Sequence, residues 1–331
     1  MIKIGIIGLG GMGRGHGHMF RSDVKGSKVV AGTDVAPKAL KAFTEDHPEA
    51  KTYTDYKDML ADDNVDAVVI CTPTFFHKQA TIDALKSGRP VLIEKPLART
   101  VADCRRMIDV ADKAKKLLMV AQCRRFDPDW GTIRKVVESG QLGAPVLWRH
   151  IAAGYVAQKW FTDDKLGGGP LFDGAVHDHD FGNWIFGDPE EVLAREIRLG
   201  SDTAVNTASA IVQYKSGHQM VHCWSWDVAS LHSLDLIGPK GSLAPGAGPL
   251  ASDDLDTTKF GYYRFTPRKK NPRLVKFRKA NMYVNEDQHF IDCLNGKKQC
   301  LSPASEAIKG VAVGEAICKA ARGRGSAKVR W

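Results

Sequence analysis

The chain has 331 residues, 43% hydrophobic and 26% charged, with 47 basic against 38 acidic residues and a formal net charge of +9. Such a composition is that of an ordinary globular protein and excludes collagen-like, fibrous and disordered chains. The length suggests two domains, each able to bury a core, and no apolar run approaches the ~20 residues that span a bilayer. The cysteines, 7 in number and without a C-x-x-C pair, fit neither a disulfide framework nor a zinc knuckle, so a reducing cytoplasm is the expected setting.

The opening stretch Met1–Gly13 is short, interrupted by glycines and without a basic leader, so it reads as a first strand and not as a secretory signal. In chain order, the apolar runs Ile2–Ile7, Lys28–Gly32, Val65–Cys71, Pro90–Ile93 and Leu117–Ala121 are predicted strands. Helices are predicted between them: up to about Phe20, near Pro37–Glu45, up to Ser87 and over Val101–Lys116. Continuous apolar strands alternating with helices are what a parallel sheet covered on both faces requires, so the first 120 or so residues read as a doubly wound α/β domain.

Beyond it the rhythm changes. Val146–Ala153, Glu191–Leu199, Ala204–Lys215, His218–Val228 and His232–Ile237 are strand-like with few helices between them, and Tyr214–His218 has the character of a hairpin connection. Helices are predicted at Leu171–Phe186, Asn285–Leu294 and Pro303–Ala321. The second half therefore reads as α+β on a mostly antiparallel sheet, with domains expected over 1–122 and 123–331. An open sheet exposes a face that needs covering, which points to a homodimer or homotetramer. The basic stretch from Arg264 to Lys279 reads as a solvated loop and edge strand whose charges discourage sheet pairing, not as a nucleic-acid surface.

Gly8-Leu-Gly-Gly-Met-Gly13 satisfies G-x-G-x-x-G directly after the first strand, and Asp34 ends the second strand about 20 residues later. Gly8 permits the turn, Gly10 lets the backbone approach a pyrophosphate, and Gly13 allows close helix packing; the helix N-terminus supplies N–H groups to the phosphates. Asp34 would accept from the adenosine ribose hydroxyls and repel a 2′-phosphate, favouring NAD over NADP, while Arg14 and Lys38 keep NADP open.

At the end of the fifth strand, Lys95 in Glu94-Lys95-Pro96 can stabilise the alkoxide that develops during hydride removal. If Leu171–Phe186 is one helix, Asp173, His177, Asp180 and Trp184 share a face, and His177 suits proton transfer. His177 and Asp180 forming only a structural pair stays open. Both His177 and His179 point too far apart on a helix to ligate one ion, so no metal is expected. Gly167-Gly-Gly169 reads equally as a backbone that passes close to a ligand or adopts positive φ, or as a flexible loop.

Together, Gly8-Leu-Gly-Gly-Met-Gly-Arg-Gly-His16, Cys71-Thr-Pro-Thr-Phe-Phe-His77, Glu94-Lys-Pro-Leu-Ala98, Arg124-Arg-Phe-Asp-Pro128 and Gly167 to Asp180 resemble the glucose–fructose oxidoreductase, inositol dehydrogenase and MocA family. The resemblance implies an N-terminal Rossmann domain, a C-terminal domain on a large open sheet, and NAD(P)-dependent oxidoreduction of sugars, cyclitols or related polyols in a cleft between them. It implies Lys95, Asp173 and His177 as the catalytic set. Cofactor contacts are implied at Gly8, Gly10, Gly11, Met12, Gly13, Asp34, Thr72, Pro73, His77, Glu94 and Lys95, and substrate contacts at Lys95, Arg124, Trp160, Asp173 and His177. A cis bond before Pro96 is also implied. Ala121-Gln122-Cys123 departs from the family's usual Gly-Phe-Asn, and the basic stretch, not a family hallmark, could favour an acidic or phosphorylated sugar. A glycosidase or lyase using transient oxidation, and a silent dinucleotide-binding sensor, are the alternative readings.

Overall fold

The computed structural model describes residues 1–155, 159–197, 207–323 and 325–331. They form two compact units, Met1–Cys123 with Asn281–Ile308, and Arg124–Ala280 with Lys309–Trp331, a discontinuity that a single boundary near residue 122 does not describe. The segment counts with the first unit for a physical reason. Helix α8 (Met282–Leu294) packs on α1 (Gly11–Ser22), where the buried Asp287 meets the buried His16 imidazole at 2.8 Å and Gln288 accepts from the Lys25 amide.

In the first unit, β1 (Ile2–Ile7), β2 (Ser27–Thr33), β3 (Lys51–Tyr53), β4 (Ala67–Ile70), β5 (Val91–Glu94) and β6 (Leu118–Ala121) form one sheet in the order β3-β2-β1-β4-β5-β6. All neighbours are parallel. Ile4, Ile6, Val68, Val69, Leu92 and Ile93 are fully buried, which is why these strands read as unbroken apolar runs. Strand order reverses between β1 and β4, so the turns after both open at the switch point, where ligands bind in open α/β sheets. The covering helices include α2 (Pro37–Asp46), α4 (Thr74–Lys86) and α5 (Val101–Ala114); β3 and α3 (Tyr56–Leu60) are too short to leave a periodic signal.

The second unit is built on nine strands in the order β14-β13-β12-β11-β7-β10-β9-β8-β15. Their ranges are β7 Leu147–Gly154, β8 Pro189–Ile197, β9 Thr207–Tyr214, β10 Gln219–Trp226, β11 Leu231–Gly238, β12 Gly241–Pro245, β13 Phe260–Pro267, β14 Arg273–Arg278 and β15 Ser326–Lys328. Every neighbouring pair is antiparallel except β7 with β10. The expected strand ends at Leu199 and Ala204 lie outside the described residues. The hairpin at Tyr214 closes through Gly217 at φ +84°, with the Tyr214 amide donating to the His218 carbonyl at 3.0 Å. Strand β14, from the basic stretch, is an edge, and Lys276 and Arg278 stand on it.

Residues alternate along β9, with Ala208, Ala210, Val212 and Tyr214 buried. Helix α7 (Val176–Phe186) covers this inner face, and α6 (Pro128–Glu138) and α9 (Ala304–Arg322) complete the helical complement. Gly182 seats α7: a Cβ there would stand 2.2 Å from the hydroxyl of the fully buried Tyr214. Among the described residues no helix is long and apolar enough to cross a membrane. Because Tyr214 is itself buried, Gly182→Ala should cost ~1–3 kcal/mol by overpacking. A denaturant midpoint unchanged from that of the parent would contradict the tight seating of α7.

Candidate active site

The glycine turn is held from two sides. Gly8 adopts φ +89°, and a Cβ there would meet the Cys71 carbonyl carbon and oxygen at 2.9 Å; one on Gly13 would stand 1.9 Å from the Gly8 carbonyl oxygen. The second clash is impossible for any side chain, so Gly13 is what lets α1 begin directly beneath the turn. Gly10 and Gly11 instead face open space, and Met12 is exposed beside them. Helix α1 starts without a side-chain cap and with no acidic residue in its first turn. Its first N–H groups therefore remain a site for an anion.

Asp34 lies against this turn. One carboxylate oxygen accepts from the Leu9 amide and the other from the Ala36 amide, each at 2.8 Å. A cleft of ≈ 580 Å³ opens alongside, lined among others by Leu9, Gly10, Gly11, Arg14, His18 and Lys38. An uncapped helix start, two glycines without obstruction and an acid at the end of β2 fit a dinucleotide. Arg14 is turned toward Asp46 at 2.9 Å.

Further along the sheet's carboxyl edge, Pro73 caps α4, and buried His77 joins two loops. Its Nε2 lies 2.8 Å from the Thr72 carbonyl oxygen and its Nδ1 2.9 Å from that of Pro96. The Lys95–Pro96 bond is cis. Glu94 carries a chain of buried polar groups. Its Oε2 accepts from the Lys95 amide at 3.0 Å and its Oε1 lies 3.3 Å from Nε2 of His16, whose Nδ1 bonds Asp287. Burial opposes charge on His16, but Asp287, then Cys71 and Glu94, outweigh it and raise its pKa well above the ordinary value. Burial likewise opposes ionisation of Glu94, and His16 followed by Lys95 holds its carboxyl low. Asp287 was not foreseen, since no spacing pattern connects α8 to the glycine motif.

In the second unit the expected helix over Leu171–Phe186 is two pieces: a π-helical turn at Pro170–Gly174, then α7. This corrects the single face proposed for Asp173, His177, Asp180 and Trp184, because a wider turn shifts the phase of Asp173 relative to the residues of α7. Asp180 is held by Arg125 in a fork at 2.8 and 2.7 Å, and Trp184 lies under Arg134 at 4.0 Å, so both belong to packing. Asp173 is buried and His177 half-buried. His179 is fully buried with its ring 5.2 Å from that of His222.

The triple glycine packs against its own chain and adopts positive φ at Gly168 and Gly169. A Cβ on Gly167 would stand 2.6 Å from Phe161 Cα, and Gly168 and Gly169 adopt φ +83° and +79°. The Gly167 amide donates to Trp160 and the Gly169 amide to Phe161, fixing the loop on the stacked Trp160 and Phe161 rings. The π turn rests on the sheet, since a Cβ on Gly174 would lie 2.7 Å from the Trp224 ring. Arg124 pairs with Asp178 and lies 3.9 Å over the Trp130 ring. Asp178, which sequence reasoning passed over, also accepts from His150 at 2.7 Å and from the Trp224 indole. Burial opposes its charge, yet His150 and Arg124 hold its carboxyl well below the usual range.

Comparison with known proteins agrees with this architecture. Residues 2–122 match the GFO/IDH/MocA oxidoreductase family with its NAD-binding Rossmann fold, and residues 130–244 match the family's C-terminal domain. The chain is 32% identical over 222 residues to a myo-inositol 2-dehydrogenase of Thermotoga maritima, covering 65% of this chain and 66% of that one, slightly less than two thirds of its length. It is 30% identical over 252 residues to an inositol 2-dehydrogenase of Burkholderia multivorans, covering 72% of each. An oxidoreductase from Agrobacterium radiobacter, solved with NAD+, L-tartaric acid and magnesium, has the same fold, with a TM-score of 0.86, 20% identity and coverage of 99% of this chain and 98% of that one. The chain therefore belongs to the GFO/IDH/MocA family of NAD-binding oxidoreductases.

Proposed function

We propose that this protein is a dehydrogenase that oxidises a carbinol carbon of a sugar, cyclitol or related polyol. The observation that carries the reading is the dinucleotide cradle with Lys95 on the same sheet edge, its backbone amide fixed by Glu94. The relatives named as inositol 2-dehydrogenases support the substrate class. When bound, NAD supplies the hydride acceptor at nicotinamide C4.

The protein's own residues do the rest. The turn Gly8, Gly10, Gly11, Met12 and Gly13 with the start of α1 binds the pyrophosphate, and Asp34 accepts from the adenosine ribose. Thr72, Pro73, His77 and Glu94 shape the segment beside the nicotinamide end. Lys95 donates to the reacting oxygen and stabilises its developing negative charge, His177 takes the hydroxyl proton, and Asp173 orients this pair. Arg124 and Trp160 contribute to substrate binding. On this reading the first unit binds NAD(P) and the second binds substrate. The outward face of the nine-stranded sheet, with Leu193, Ile211 and Leu231 exposed on it, mediates a homodimer or homotetramer. Seven free cysteines accord with a cytoplasmic setting.

The reading is tested by screening polyols and sugars, phosphorylated and carboxylated members included, for reduced-coenzyme absorbance; no response to any of them would overturn it. Lys95→Ala should leave NAD affinity within about 3-fold by calorimetry while lowering kcat by ~10²–10⁴-fold. Turnover close to that of the parent would remove Lys95 from the mechanism. Asp34→Ser keeps an acceptor for the loop but removes the charge facing a 2′-phosphate, with Arg14 and Lys38 nearby. The ratio of kcat/KM for NADP over NAD should then rise by ~10-fold or more, about 1.4 kcal/mol, and an unmoved ratio would place the discrimination elsewhere.

A further inference from the structure

On the inner face of the nine-stranded sheet, Asp178, His150 and His232 form a row of hydrogen bonds apart from the residues assigned to hydride transfer. His150 stands on β7 and His232 on β11, and because His150 pairs with Leu234 while His232 pairs with Ala152, the two imidazoles are diagonal neighbours on one face. Asp178 reaches them from the first turn of α7. Its Oδ2 lies 2.7 Å from Nδ1 of His150, and Nε2 of His150 lies 2.9 Å from Nε2 of His232. Asp178 and His150 are buried, whereas His232 is exposed.

The hydrogen positions follow from the partners. An ionised carboxylate only accepts, so Nδ1 of His150 carries a hydrogen and, in the neutral ring, its Nε2 is a lone pair. Nε2 of His232 must then donate, which leaves Nδ1 of a neutral His232 as a bare acceptor at the exposed end. If the pair takes up one proton, on either ring, Nδ1 of His232 becomes a donor. Asp178 thus sets the hydrogen-bonding character of a nitrogen two rings away.

His232 stands on a strand near the π turn. Trp224, on which the turn rests, pairs with Ala152, and Ala152 pairs with His232, so His232 stands two strands, or ~10 Å, from the residue that seats Asp173. We propose that Nδ1 of His232 binds a hydroxyl group of the substrate as an acceptor, with Asp178 and His150 as positioning residues that set its tautomer. The ligand class rests on the proposed dehydrogenase function; the tautomer does not.

The groups facing the pair are Asp178 from α7, Arg124 before α6 and His222 from β10. Burial first, then His150 and Arg124, lowers the pKa of His232, with Asp178 opposing. The lowered pKa favours the neutral, accepting ring of His232, and protonation of that ring on the acid side turns Nδ1 from acceptor to donor and weakens substrate binding.

Two measurements on the intact protein decide the matter. Nitrogen-15 imidazole spectra at pH 7–8 should show His232 carrying hydrogen at Nε2 and His150 at Nδ1; a hydrogen on Nδ1 of His232 would overturn the relay whatever the enzyme's activity. With myo-inositol, D-glucose, D-xylose and glycerol as probes and NAD as coenzyme, His232→Ala should raise KM by ~10-fold with kcat within about 3-fold. His232→Asn, whose amide oxygen stands near the place of Nδ1, should recover most of the loss and abolish the acid rise in KM. An unchanged KM in His232→Ala would refute the contact. If the parent oxidises none of the four, a member of the wider polyol and sugar screen that it does oxidise takes their place as probe; if it oxidises no member of that screen, the dehydrogenase reading and the hydroxyl contact fail together, while the spectra still decide the tautomer.

Discussion

The arrangement of the first unit depends on one contact, the approach of α1 to the turn that precedes it. A Cβ on Gly13 would lie 1.9 Å from the Gly8 carbonyl oxygen, so the helix can begin there only because this residue has no side chain. With the helix start so close, its unpaired N–H groups point into the space beside Gly10 and Gly11, and Asp34 can tie the turn to the end of β2 through the Leu9 and Ala36 amides. A helix N-terminus binds anions through its unpaired N–H groups, and this one has no side-chain cap and no acidic residue in its first turn.

A second constraint is electrostatic. Asp287, His16 and Glu94 are buried together, and a buried charge is tolerated only when it is paired and hydrogen-bonded. The imidazole between two carboxylates satisfies that condition, and Glu94 uses its remaining oxygen to hold the Lys95 amide. A helix far along the chain thereby fixes the backbone at the residue proposed to polarise the substrate oxygen. Removing one member leaves the others uncompensated, which makes the chain costly to interrupt. In the second unit Asp178 has the same part, gathering Arg124, His150 and the Trp224 indole around one carboxylate.

The parallel sheet was legible because most of its strands are buried on both faces and most of its helices are long; Ile2–Ile7 is found as expected, the other four predicted strands differ by a residue or two, and the three-residue β3 was not predicted. Strand β12 was less visible because Gly241–Pro245 is short, and β14 because its apolar residues are interspersed with basic ones. The glycine motif was legible through its spacing, and Asp34 through its distance from the motif. The π turn at Pro170–Gly174 was not, because a periodicity argument assumes a constant helical pitch. It set Asp180 on one face with His177, whereas Arg125, adjacent to Arg124 and far from α7 in sequence, claims it. The buried networks around His16 and Asp178 join residues whose separation carries no pattern, so only coordinates bring them together.

Direct transfer of hydrogen from substrate carbon to coenzyme is the central claim, and isotope transfer measures it. The polyol oxidised fastest, deuterated at its carbinol carbons, is incubated with the protein and NAD+, and the reduced coenzyme is analysed by mass spectrometry. One deuterium in each reduced coenzyme, formed in step with the ketone, is the predicted result. Unlabelled reduced coenzyme, or deuterium returned to a rearranged product without net reduction, would contradict it.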